Sequence, residues 1–175
     1  MDFITNIALK KNLSRQDRKN IMENLPNFKS ELLLSFADIG FKSALAYPQM
    51  SWYELATYTI EESDGIFSKI HLHIGDIVTI HEENNGECYA IIKGIFKYKG
   101  NDDNYYAFIT IDWFENTSRI HNVLKCPLYH IQSIQDMCWR RIFPISIIDR
   151  VQKIHFVYDM KSELWIKNNY YFTAI

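Results

Sequence analysis

The spacing of hydrophobic and polar positions changes near residue 50. Upstream, Ile21, Met22 and Leu25 fall on one helical face, and Phe28, Leu32, Leu33 and Phe36 recur at helical spacing. Ser14 followed by Asp17 resembles a capping box, with the acid favoured in a first turn. Pro26 stops that helix, and a second fits Asn27 to Ile39 with Gly40 as its C-terminal cap. The pattern predicts helix to about residue 47, and hence a helical N-terminal extension over residues 1–50.

From Trp52 onward the period shortens to that of strands. "WYELATYTI" reads as a strand with imperfect alternation, and "ESDG" as a turn. In "IHLHIGDIVTIHE" a strand is broken at Gly75-Asp76, and "EENNGE" is a hairpin turn. "CYAIIKGIFKYKG" and "YYAFITIDWF" are the strongest strands, joined by "GNDDN". "RIFPISIIDRVQKIHFVYD" holds two more short strands with Pro144 at the edge of the first, and "ELWIKNNYYFTAI" closes the set. Many short strands at this spacing predict a mainly β unit over residues 51–175, a small barrel or sandwich.

Composition narrows the function classes. With 47% hydrophobic and 23% charged residues, the chain is ordinary for a globular protein. Nineteen basic against 21 acidic residues argue against a dominant polyanion-binding role. Three well-separated cysteines, Cys88, Cys126 and Cys138, suggest a reducing, intracellular compartment without a disulfide framework. No run approaches the roughly 20 apolar residues of a membrane span, and the N-terminal order of charge and apolar residues is not that of a secretory signal. Histidines 71, 73, 81, 121, 130 and 155 are scattered, and neither CxxC nor HExxH spacing occurs. Neither metal nor cofactor is expected, and no motif announces an enzyme.

Taken in order, "GDIVTI", "CYAIIKGIF", "YYAFITIDWFE" and "FPISIIDRVQKIHFV" resemble the strands of a bromo-adjacent homology (BAH) domain. The likeness covers roughly residues 70–160 and rests on order and spacing. It implies a small twisted β-barrel that binds protein partners in chromatin, and hence a nuclear location. Some members of that family read methylated lysine on histone tails with an aromatic cage. The chain also resembles an uncharacterised class of fungal proteins, many of them tied to mobile elements.

Carried over residue by residue, the resemblance puts Tyr89 in place of the cage tyrosine and Trp113 in place of the cage tryptophan. Each ring face contributes up to about 2 kcal/mol to a desolvated cation. Glu115 stands where many readers carry another aromatic. Two rings and an acid suit a lower methylation state or an unmodified lysine, or else no cage forms. Strand alternation points the same way for Trp113, Ile109 and Ile111, which makes Trp113 a candidate core residue too. The expected partner is therefore a protein or a histone-tail peptide. The alternative is a nucleic-acid-binding accessory protein of a mobile element, using Lys10, Lys11, Arg15, Arg18, Lys19, Arg140 and Arg141, with Trp139 stacking beside the two arginines. Those same residues also suit a solvated helix face and a pair of structural arginines.

Overall fold

A computed structural model describes residues 4–40, 50–100, 102–132, 139–149 and 154–170. Strand β1 (Ile4–Asn12) is followed by helices α1 (Arg15–Glu23) and α2 (Phe28–Asp38). Next come β2 (Met50–Ser63), β3 (Ile66–His73), β4 (Ile77–Glu82), β5 (Gly86–Lys99) and β6 (Tyr105–Ile120). Strand β7 (Pro127–Ile131), β8 (Ile142–Pro144), a single 3-10 turn, β9 (Ile148–Asp149), β10 (Phe156–Asp159) and β11 (Leu164–Lys167) complete the set. The chain is mainly β, as the strand pattern predicts.

Two expectations need correction. Residues 4–12 are not helical but pair antiparallel with β2, so the N-terminal segment is an edge of the sheet. Its alternation was hidden by a register shift between Thr5 and Ala8, and lysines on an edge strand look like a charged helix face when read singly. The described strands also form an open sheet in the order β1-β2-β5-β6-β7-β11-β10, with β3, β4, β8 and β9 off this path. They do not close into the expected barrel. The helical prediction beyond Gly40, Cys138 and the segment around Val151 lie outside the described residues.

Local signals explain the remaining elements. The Ser14 hydroxyl accepts from the Asp17 amide at 3.1 Å, satisfying one orphan donor of α1. Gly75, at φ +94°, permits the break between β3 and β4. Helix α2 buries Leu32 and Phe36 against Trp52, Phe96 and Phe108 of the sheet. Its Ser35 hydroxyl donates to the Ile142 carbonyl at 2.7 Å, and its buried Glu31 accepts from the Arg141 amide, fixing the helix to β8.

Central strands β5 and β6 are buried on both faces. One face, carrying Ile92, Ile95, Ile109, Ile111 and Trp113, packs on β2, β3 and β4 residues such as Ala56, Leu72 and Ile80. The opposite face holds two separate apolar groups. Phe96 and Phe108 lie under the helices, while Tyr89 and Phe114 pack with Tyr129, Phe156 and Trp165. Between those two groups the same face of β6 presents Thr110 and Asp112. No helix among the described residues is long and apolar enough to cross a membrane.

Candidate functional site

The interval between the two apolar groups opens into a cleft of about 920 Å³. This is the upper end of the range for small-molecule sites. Helix α1 and the residues flanking it form one wall with Leu13, Ile21 and Leu25, and β2 and the residue after β3 form another with Leu55 and Ile74, while Asp17, Asn20, Glu54 and His73 bring polar groups from the same elements. Thr110, Asp112, Gln132 and Arg141 stand at its base. Lys93 joins them because β5 carries a bulge there: Ile92 faces Ile111 and Gly94 faces Thr110, leaving Lys93 as the extra residue. A bulge of this kind re-aims a side chain that regular pairing would send elsewhere. Gly94 is needed at this point, since a Cβ there would meet a Trp52 ring carbon at 2.7 Å and Thr110 Oγ at 2.8 Å.

The base is held by an ion pair. Arg141, 2% exposed, donates from Nη1 to Asp112 Oδ1 at 2.9 Å and from Nη2 to the Gln132 carbonyl at 3.4 Å. Nearer the rim, Lys11 and Lys93 have no ion-pair partner among the described residues, and Glu54 and Asp17 bring the opposite sign. His73 is held by Asp76, whose carboxylate accepts from the His73 amide at 2.8 Å and lies 3.6 Å from Nδ1. Apolar walls, a balanced charged rim and a polar base suit a guest that is itself mixed in character.

The residues singled out from the sequence fall elsewhere. Trp113 is 2% exposed, and its indole N–H donates to the Arg140 carbonyl at 2.7 Å. It is a core residue, edge-on to Trp139 and Phe143. Trp113 sits opposite Ala90 in the β5–β6 register, so Tyr89, one residue earlier, faces the other side of the sheet. The two rings do not meet, and the cage they were expected to form is absent. Tyr89 does receive a cation, but one from its own chain: Lys167 Nζ donates to the Tyr89 hydroxyl at 2.7 Å and lies 4.5 Å from the ring centroid. Beside it, burial pushes the Tyr129 phenol upward, partly offset by the Lys167 charge. Glu115 is half-exposed and engaged with His130 Nε2 at 3.1 Å.

The seven basic residues are divided as well. Arg140 donates to Asp38 and to Ser35 Oγ and stacks 4.2 Å from the Phe143 centroid, and Arg141 is buried on Asp112. Lys10 and Lys11 lie on β1, whereas Arg15, Arg18 and Lys19 lie on α1. Of these, Lys11 alone lines the cleft. Thr110, Gln132, Lys93 and Asp112 were missed by sequence reasoning. The available signal was a glycine inside an apolar strand and two polar residues, Thr110 and Asp112, at buried parity in the next.

No protein-family model matches this chain, and a search of curated proteins finds no match either.

Proposed function

We propose that this chain is a non-enzymatic interaction module that holds a segment of a partner polypeptide in the cleft between α1 and the sheet. The cleft itself carries this proposal: a large hollow with apolar walls, both signs of charge at its rim and hydrogen-bonding groups at its base. Polypeptide supplies all three complements in one guest. Side chains fill the walls, backbone groups meet the base, and charged residues pair with Lys11, Lys93, Asp17 and Glu54. The half-buried acid of the site, Asp112, is already held by Arg141, which suits orientation better than proton transfer.

The resemblance to BAH domains supplies the partner class. Lysine-bearing histone tails are the first peptides to try, with a nuclear role if they bind. Lysine would then be recognised at the acidic part of the rim, Asp17 and Glu54, instead of between two rings. A peptide array that includes modified and unmodified histone tails tests this. Wild-type protein should give sequence-selective signals that fall at least tenfold in Leu55→Trp, a variant that fills the cleft from β2. No selective signal, or signals unaffected by Leu55→Trp, would remove the proposal. Selective capture of a DNA duplex with a steep salt dependence would favour the mobile-element alternative instead.

A further inference from the structure

We infer that the partner polypeptide continues out of the cleft as an acidic segment, laid along the outward face of β1, β2 and β3. This rests on the cleft holding a polypeptide, and the experiment below separates the two. Beyond Tyr53, β2 leaves β5 and runs between β1 and β3 as the middle strand of an arm. Residues directly opposite one another in antiparallel strands share a face. One face of the arm carries Leu9, Ala56 and Leu72, then Tyr58 and Ile70, all packed into the core. The other face therefore points outward. Its first row is Lys10, Leu55 and His73, its second is Ala8, Thr57 and His71, and its third brings Thr59 and Lys69 together. Leu55 and His73 also line the cleft, so the arm begins where the cleft opens.

Charge decides what this face takes. Lys10, Lys69, His71 and His73 are all exposed, and none of the three rows contains an acid. Asp76, at one end, holds His73, and Glu61, at the other, accepts from the Gly65 amide at 3.2 Å. Among the described residues no ion pair reaches Lys10 or Lys69. Lys11 and Lys93 add positive charge from within the cleft. The whole chain has fewer basic than acidic residues, 19 against 21, so the excess is local to this surface. Spacing then favours an extended peptide. The rows are two residues apart, about 7 Å, and an extended peptide repeats its same-side side chains at that interval. Acids at alternate positions come abreast of His73 with Lys10, then His71, then Lys69. A nucleic-acid strand also carries negative charge, but the apolar walls that open onto the first row suit an aliphatic side chain. One polypeptide supplies both.

Charge reversal on the full chain is the test. Blocked Leu-Gly-Glu-Ala-Glu-Ala-Glu, and its counterparts with Gln or Lys in place of every Glu, are titrated by NMR with the His71 and Lys69 amides as reporters. The Glu peptide should bind at least tenfold tighter than the other two, with an advantage that shrinks as salt rises. In the double variant Lys10→Glu, Lys69→Glu the Lys peptide should become the tightest. That variant should melt like wild type, because both side chains are exposed. The inference is overturned if the three peptides bind alike, if none gives a saturable shift at His71, or if the double variant keeps the preference for Glu. It is also overturned if oligodeoxythymidine binds the same face at least tenfold tighter than the Glu peptide, which would make the arm a nucleic-acid surface. Array signals lost in Leu55→Trp but unchanged in the double variant sink this inference and leave the proposed function standing. Glu-peptide shifts at His71 that persist in Leu55→Trp leave the acid-binding face standing and sink the proposed function.

Discussion

Trp113→Ala should lower the stability of the protein by about 3–5 kcal/mol, the usual consequence of truncating a large buried ring. The side chain is 2% exposed and packs among Ile92, Ile111, Ala90 and Ile145 on one face of the central sheet. Its loss opens a cavity lined on several sides by strands that cannot collapse together. It also strips the Arg140 carbonyl of the indole N–H that meets it at 2.7 Å. Denaturant unfolding followed by intrinsic fluorescence and circular dichroism measures the effect. A cage wall open to solvent would behave differently, because surface substitutions usually stay within about 0.5 kcal/mol. A Trp113→Ala protein that folded with near wild-type stability would therefore contradict the core assignment. The variant is unsuitable as a binding-deficient control for the same reason.

The second large effect is expected at Arg141. Its side chain is 3% exposed and that of Asp112 25%, so removing the guanidinium leaves a partly desolvated carboxylate without its partner. Breaking buried pairs typically costs 3–5 kcal/mol, and the exposure of Asp112 reduces this to about 2–3 kcal/mol for Arg141→Met. Adding Asp112→Asn should recover part of the loss, because the stranded charge is gone; a double-mutant cycle measures that coupling. Additive losses would mean that the pair contributes nothing and that Arg141 acts by packing alone. Arg140, with 22% of its side chain exposed and a partly exposed partner in Asp38, should be the less sensitive of the two neighbours. A nucleic-acid-binding role would leave stability unchanged for both and remove DNA binding instead.

Much of the sheet was legible because its punctuation is local. Gly75-Asp76 and the Gly86 turn, at φ +69°, interrupt apolar alternation where backbone sterics demand it. Ser14 and Asp17 likewise announce α1 by a contact three residues long. Strand β1 was not legible, because its irregular register and lysine content match an amphipathic helix as well as an edge strand. Strand β7 was missed too. It is five residues long and opens on Pro127, which leaves little period to read.

The site was harder to see for a different reason. Whether Tyr89 and Trp113 share a face depends on the register between β5 and β6, and no sequence pattern displays register. Once Ala90 is opposite Trp113, period-two geometry sends Tyr89 to the other side, and the cage is excluded. The cleft is assembled from β1, α1, β2, β3, β5, β6, β7 and the approach to β8. Each contributes between one and three residues that are unremarkable in isolation. What unites them is the polar interval between two aromatic groups on one sheet face, a property of packing rather than of any segment.

Mapping a peptide selected on the array by its effect on backbone amide resonances tests the binding site most directly. Saturable shifts are expected at Leu55, His73, Lys93 and Gln132, with Tyr89 and Glu115 unmoved. Shifts centred on Tyr89, Glu115 and His130, or spread along Arg15 and Lys19 with the cleft silent, would contradict it.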